Sequence, residues 1–454
     1  MPDDTPITLD GLPMSTRRWI GREVSRMEDP QLVTGRTEFI DNVVLPGMLH
    51  CAILRSPVAH ARITRVDASQ AEKLEGVAAV LTRDDVLRWT DLGASLPEGW
   101  GTRCLATDKV RFVGEPVAAV AATSRYLAED ALECIEVDYD PLPVVTNARR
   151  AMQDGSPLLF EEHGTNVMLH KVYCWGEVEA AFRDADRVFR ESFRWNRLGA
   201  NPLETFGVIS EWDPTDSSLT CRGSFQSPSH MALGRATSLR LPSNKVRLIA
   251  LPHGGSFGGK GGARGTDITA LLSRKAEGRP VQWIEDRMEY LLAGGSQSWD
   301  RHYRAELAVQ SDGRVTGLRV ELIDDIGATG EGFGALGAAK VLSSFTGCYA
   351  IPAASYDLTL VATNKLPGHP YRGMGPPPHN LVLEQMMDIA ARGLGLDPAE
   401  MRRRNHIAAD QFPYTIVSGN EYDSGDYDAT LDRVLELADY KDLRAQQAQA
   451  REQG

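Results

Sequence analysis

Hydrophobic and polar positions along the chain follow two rules. In Ile135-Glu136-Val137-Asp138-Tyr139 they alternate strictly, as in a strand with one buried face. Met48–Leu54 reads as a strand, Val77–Leu81 as a buried strand, and Pro116–Ala122 is a small apolar run that is also strand-like. Leu45-Pro46-Gly47 reads as a turn before the first of them. Ser69–Glu75 reads as a short polar-faced helix, and Ala128–Leu132 is also helical in pattern. Strands and helices mix here without a regular βαβ rhythm. That predicts an α+β module over residues 31–148, after an extended lead-in over 1–30.

Asp140-Pro141-Leu142-Pro143 punctuates the chain, and a loop-rich linker follows to about Asn166. A longer α/β region opens at Val172. Strands are expected near Arg187–Trp195, Val208–Trp212, Val246–Ala250, Val281–Ile284, Tyr303–Val309 and Val315–Ile323. Leu381–Leu394 carries apolar residues at helical spacing, and Gly395 can stop it. Asp397-Pro398-Ala399-Glu400 then starts another helix, with proline at its first position. Residues 427–452 read as one further helix. There is no internal repeat of solenoid length.

Composition narrows the function classes. The chain has 454 residues, 42% of them hydrophobic and 24% charged, so a disordered or collagenous chain is excluded. Its 49 basic residues face 62 acidic ones, a net charge of −13. A binder of nucleic-acid backbones needs a basic surface and is disfavoured. No apolar run is long enough to span a membrane. Met1–Pro13 lacks the basic-then-apolar order of a secretory leader, so a cytoplasmic location is expected. The six cysteines (Cys51, Cys104, Cys134, Cys174, Cys221, Cys348) have no C-x-x-C or iron–sulfur spacing and read as buried thiols. Redox chemistry would need an imported cofactor.

The densest signal is His253-Gly254-Gly255-Ser256-Phe257-Gly258-Gly259-Lys260-Gly261-Gly262, just after an expected strand. Glycines let backbone N–H groups approach an anion closely. Gly254-x-x-x-x-Gly259-Lys260 matches the start of a P-loop, which would make the chain a nucleotide-binding protein. The magnesium-binding Ser or Thr that should follow is Gly261, and Phe257 is out of place in a phosphate cradle. A purely structural glycine turn is a second reading. A phosphate-bearing or pterin cofactor is a third.

The loop resembles the G-G-x-F-G-G-K motif of the molybdenum hydroxylases, the xanthine dehydrogenase/aldehyde oxidase family. Further segments resemble that family in the same order. Leu32-Val33-Thr34-Gly35-Arg36, Asp41, Leu45-Pro46-Gly47-Met48, Arg55-Ser56-Pro57-Val58-Ala59-His60-Ala61 and Val113-Gly114-Glu115-Pro116-Val117-Ala118 resemble its a/b hammerhead domain. Pro202-Leu203-Glu204, Glu211-Trp212-Asp213 and Phe225-Gln226-Ser227-Pro228 resemble the opening of its first molybdopterin-binding domain. Tyr371-Arg372-Gly373-Met374-Gly375, Leu394-Gly395-Leu396-Asp397-Pro398 and Arg402-Arg403-Arg404-Asn405 resemble its later part. The resemblance covers nearly the whole chain. It implies an α+β fold with the hammerhead domain over 31–148 and the first molybdopterin-binding α/β domain over 149–415. Residues 416–454 would begin a second such domain, truncated or supplied by another chain.

The family hydroxylates C–H bonds of aldehydes or N-heteroaromatic rings with water as oxygen source. It uses molybdenum on molybdopterin, in bacteria often as the cytosine dinucleotide. Electrons leave through 2Fe–2S and FAD, here expected on a small and a medium partner subunit. By resemblance Gln226 hydrogen-bonds an oxygen ligand of the metal, an amide donor that neither titrates nor oxidises. Gly255, Phe257 and Gly258 pack on the cofactor, and Arg372 and Gly373 form the loop beside it. Gln226, Phe257 and Arg372 would surround the molybdenum, with no direct protein ligand to it. The purine-specific glutamate, arginine and phenylalanine fall on Gly261, Lys340 and Met374, so xanthine is disfavoured. The cysteine needed for carbon monoxide falls on Gly373, so that substrate is disfavoured too. His379 is expected at the surface. The family's general-base glutamate lies in a Gly-x-Gly-Glu motif not found in this chain; Glu115 and Glu204 stand in other motifs, and Glu204 fits a structural or cofactor-shell carboxylate. The resemblance thus implies an enzyme incomplete as this chain alone. The alternative is a non-catalytic scaffold half of a split subunit.

Overall fold

The computed structural model describes residues 23–95, 97–262, 265–292, 297–330 and 334–453, with a short backbone pairing of Thr8–Leu9 and Leu12–Pro13. The strands that carry the fold are, in chain order, β1 (Leu49–Arg55), β2 (Ala61–Asp67), β3 (Val77–Leu81), β4 (Lys109–Val110), β5 (Pro116–Ala122), β6 (Glu136–Pro141), β7 (Val167–Trp175) and β8 (Arg187–Trp195). They continue with β9 (Gly207–Asp213), β10 (Ser218–Gly223), β11 (Val246–Ala250), β12 (Val281–Ile284), β13 (Asp300–Val309), β14 (Val315–Gly327) and β15 (Ala354–Ala362). The helices used below are α1 (Arg125–Leu132), α2 (Pro228–Ser238), α3 (Thr266–Lys275), α4 (Pro376–Leu394) and α5 (Pro398–Arg403).

A seven-stranded mixed sheet has the order β11-β10-β9-β12-β1-β5-β3. The apolar run of β5 follows from its central place. Ala119 and Ala121 face a core shared with Ile268, Leu271 and Leu272 of α3, while Ala118, Val120 and Ala122 face one shared with Ala128 and Ala131 of α1. Strands from both sides of residue 148 meet in this sheet. β1 runs parallel to β12, with Leu49 opposite Val281 and His50 opposite Gln282. The alternating segment becomes β6, half-exposed in a three-stranded sheet of order β4-β2-β6.

A five-stranded sheet, β8-β13-β14-β15-β7, carries the largest core. Helix α4 lies on it and buries Val382, Leu383, Met386, Met387, Ala390 and Ala391. The expected linker packs against the same core through Val145, Ala148, Leu159 and Phe160. Asn166 clamps it, accepting from Leu159 N–H at 3.1 Å and donating to the carbonyls of Pro157 and Ala151.

Several expectations need correction. α4 starts at Pro376, not Leu381, because prolines are tolerated where a helix has no N–H bonds to make. Ser69–Glu75 is no helix but a 3-10 turn over Ala71–Lys73, cut short as the chain turns into β3. The single helix over 427–452 is two, Tyr427–Leu437 and Tyr440–Gln453, broken where Asp439 takes a left-handed φ of 45°. The second docks through the Tyr440 hydroxyl, which donates to Asp397 at 3.0 Å, and through Arg444. Only Cys51 and Cys221 are buried; Cys174 is exposed on β7, where its side of the strand is uncovered. Among the described residues no helix is long and apolar enough to cross a membrane.

Candidate functional site

The glycine loop leaves the end of β11, and Gln226 leaves the end of its neighbour β10. Strand pairing therefore brings them together. The side-chain carbonyl of Gln226 accepts from the Gly258 N–H at 2.9 Å and from the Ser256 hydroxyl. Its backbone N–H donates to the Lys260 carbonyl at 3.2 Å. With Oε1 held by two donors, the amide nitrogen is the free end, and Gln226 is exposed. Below the loop Lys260 is fully buried, its ammonium 2.6 Å from Glu204. The same carboxylate oxygen accepts from Gly254 N–H at 2.8 Å. That pair fixes the base of the loop. It also answers the P-loop reading: the lysine that would reach a phosphate is spent on an internal carboxylate.

Phe257 caps the loop, 45% exposed, with a left-handed φ of 52°. The Gly255 backbone comes so near that a Cβ there would lie 3.1 Å from the Phe257 ring. Gly258 has φ of 102°, and a Cβ on it would overlap the Pro370 carbonyl oxygen. Pro370 opens the second loop, Tyr371-Arg372-Gly373-Met374-Gly375. The Arg372 N–H donates to the Phe257 carbonyl at 3.0 Å, so the two loops are bonded back to back. Gly373 has φ of 94° under Pro377, and Met374 is left-handed at 62°. Left-handed non-glycine residues cost about 1–3 kcal/mol and collect at functional sites. Two stand here on facing loops.

The structure thus brings together Gln226, Gly255, Phe257, Gly258, Arg372 and Gly373. Arg372 is fixed through its backbone, while its side chain is exposed. Gly261 is buried behind Gly258, whose carbonyl accepts its N–H at 3.3 Å. Met374 and Lys340 stand on the arginine-loop side. Met374 packs partly on the large core. Lys340 is exposed, its Cβ 3.5 Å from where a Cβ on Gly375 would sit. His379 is not at the surface. It is buried in α4, its Nε2–H donating to the Phe345 carbonyl at 2.7 Å, and burial lowers its pKa to about 4. The helix begins at Pro376, so His379 falls in its first turn and faces the core.

Sequence reasoning missed a buried pair beneath the second loop. Arg301 and Asp324 face each other in the β13–β14 register with Nε to Oδ2 at 3.0 Å. Arg301 Nη1 donates to the Met374 carbonyl at 3.1 Å. No pattern signal marked them, since Arg301 and Asp324 lie just outside the expected strands Tyr303–Val309 and Val315–Ile323.

The site offers donors. Among the described residues no hydrogen bond occupies the N–H groups of Ser256 and Phe257 or the amide nitrogen of the exposed Gln226. Among the described residues no cluster of His, Cys, Asp or Glu could hold a metal. A metal here would have to arrive on a cofactor's own donor atoms, beside a loop shaped for electron-rich atoms.

Residues 159–406 match the family model of the molybdopterin cofactor-binding domain. Residues 34–143 match that of the aldehyde oxidase and xanthine dehydrogenase a/b hammerhead domain. The chain is 35% identical over 448 residues to the carbon monoxide dehydrogenase large chain of Hydrogenophaga pseudoflava, covering 93% of this chain and 55% of that one. It is 30% identical over 390 residues to the nicotinate dehydrogenase large molybdopterin subunit of Eubacterium barkeri, covering 85% of this chain and 89% of the relative. The crystal structure of quinoline 2-oxidoreductase from Pseudomonas putida 86 superposes with a TM-score of 0.85 at 34% identity, over 96% of this chain and 56% of that one. The chain spans about half the length of the first of these relatives.

Proposed function

Since the chain belongs to the xanthine dehydrogenase/aldehyde oxidase family, as a molybdopterin-binding large subunit or part of one, we propose that its paired loops hold a molybdenum–molybdopterin cofactor for C–H hydroxylation. The observation that carries this reading is the Gln226 amide. Its carbonyl is occupied by Gly258 and Ser256, so its NH2 is a preset donor at the mouth of the glycine loop. A donor fixed before reaction costs no reorganisation when charge develops in front of it.

The residues present fit the group. Gly255 and Gly258 leave a cradle that a Cβ would fill, and open backbone donors line it. Gly255, Phe257 and Gly258 would hold the cofactor on one side, Arg372 and Gly373 on the other. When bound, the cofactor supplies the two-electron acceptor for hydroxylation with water as oxygen source. The chain's own part is to hold and orient it: Gln226 Nε2–H donates, and the Phe257 ring shields the donors from bulk water. Lys260 and Glu204 keep the loop from collapsing.

The substrate class is an N-heteroaromatic ring or an aldehyde. Nicotinate and quinoline in the names of two relatives support the ring. Gly373 offers no thiol and Gly261 no carboxylate, which speaks against carbon monoxide and xanthine. Electrons would pass to 2Fe–2S and FAD centres on small and medium partner subunits, and the cofactor's dinucleotide form would be that of cytosine. The base that activates water would come from the further half of the large subunit, on this polypeptide or a second one.

Gln226→Ala and Arg372→Ala in the native assembly test the reading. Loss of the fixed donor is expected to cut turnover about a hundredfold with molybdenum still bound. Unchanged turnover in both variants would overturn the proposal. An assembly purified without molybdenum would leave the scaffold reading.

A further inference from the structure

Arg301 and Asp324 form a fully buried ion pair that reaches the second loop through the Met374 carbonyl. Their opposition is built into the sheet. β13 and β14 run antiparallel with Arg301 directly across from Asp324. Trp299, two residues before Arg301, lies under the guanidinium with its ring centre at 4.9 Å. Two of the nitrogens are then assigned: Nε to Asp324, Nη1 to the Met374 carbonyl.

A buried ion pair is weak evidence for stability, because desolvation offsets most of its attraction. Packed apolar residues of similar volume would do as well. What such residues could not do is reach across to one particular carbonyl. Met374 is left-handed, and its amide also closes the loop by donating to the Tyr371 carbonyl at 2.7 Å. Two residues earlier, the Arg372 amide holds the Phe257 carbonyl. Arg301 therefore secures one end of a short loop whose other end is tied to the glycine loop.

We propose that Arg301, oriented by Asp324, is the positioning residue of the arginine loop: by holding the Met374 carbonyl it sets the place of Arg372 and Gly373 against Phe257. Asp324 fixes the guanidinium plane. The inference rests on the cofactor reading above for its purpose, but its physical content is the order of residues 371–375.

The test is hydrogen exchange, resolved at single amides, on the full native assembly carrying Arg301→Met, Arg301→Lys or Arg402→Met. Arg402 pairs with Glu384 and Asp388 on α4 and serves as a control of similar kind. In Arg301→Met the amides of Arg372 and Met374 are expected to exchange at least about tenfold faster, the scale set by a lost charged hydrogen bond. The β14 amides of Leu318–Leu322 are expected to stay protected. Arg301→Lys, which can still donate to Met374, recovers part of the protection, and Arg402→Met leaves Arg372 unchanged. The inference is overturned if Arg372 keeps its protection in Arg301→Met. It is equally overturned if loop and β14 amides rise together in Arg301→Met, since the pair then only stabilises the sheet. Molybdenum content of the unmodified assembly is measured alongside. Its absence removes the cofactor reading, while the exchange result still decides the role of Arg301.

Discussion

Gly258 and Gly395 make the same backbone demand for different ends. Both are left-handed, at φ of 102° and 69°. A Cβ on Gly395 meets nothing within 4 Å, whereas one on Gly258 runs into the Pro370 carbonyl. Gly395→Ala should therefore cost only the conformational penalty, about 1–2 kcal/mol, with molybdenum content unchanged. Gly258→Ala should cost that and also part the two loops, so cofactor content falls. Thermal midpoints and metal analysis of the two purified variants separate the effects. His379 carries a pH prediction. Burial, against its hydrogen bond to Phe345, lowers its pKa from 6.5 to about 4. Between those values the unfolded chain binds a proton that the folded chain excludes. Stability is then lost as pH falls from 6.5 towards 4, by roughly 3 kcal/mol in all. Asp324, pushed up to about 6 by burial against the pull of Arg301, has the opposite slope over the lower part of that range. Comparison with His379→Gln cancels Asp324. The variant should lose less than the parent in denaturation midpoint on going from pH 7 to pH 5; equal losses would refute the assignment.

The β13–β14 ladder shows how an element resolves its own charge conflict. Asp300 lies directly opposite Asp325, and like charges facing each other destabilise a ladder. Lys365 bridges them, 3.1 Å from one and 2.7 Å from the other. Burial alone would raise the pKa of Asp300; the hydrogen bonds from Arg194 and Lys365 outweigh it and hold it at about 2. Lys365→Met should destabilise the assembly by about 3 kcal/mol, since it leaves two buried carboxylates facing each other. Adding Asp325→Asn should restore part of that, as a double-mutant cycle on denaturant unfolding would read. None of this was legible from pattern. Tyr303–Val309 and Val315–Ile323 showed as strands because their apolar residues are dense, but their charged ends fell outside the pattern and took the ion pairs with them. β10 and β15 were missed outright, since Thr220, Arg222, Ser355 and Asp357 dilute the apolar signal. β3 and β5 show as strands because each is an uninterrupted apolar run, Val77–Leu81 and Pro116–Ala122.

At the scale of the molecule, the fold was legible through its motifs: the hammerhead and molybdopterin-binding segments are matched over residues 34–143 and 159–406. Gly255, Gly258 and Gly373 stood out through their motifs, and the structure gives each a left-handed φ. The Gln226 amide's orientation did not, since it depends on Ser256 and Gly258 arriving from the neighbouring strand. The chain spans 89% of the nicotinate dehydrogenase subunit but 55% of the carbon monoxide dehydrogenase large chain. The denatured mass of the native polypeptide separates the two plans. A species near 50 kDa with a second molybdopterin chain beside it is expected for a divided subunit, and a much larger single species for an undivided one. The seven-stranded sheet has a further consequence, for synthesis. β1 cannot complete its pairing until β12 leaves the ribosome, some 230 residues later. At about 5–20 residues per second that is a wait on the order of 10–50 s. Through that interval the β12-facing edge of the nascent N-terminal segment stays unpaired, so this chain should gain from chaperone cover early in translation.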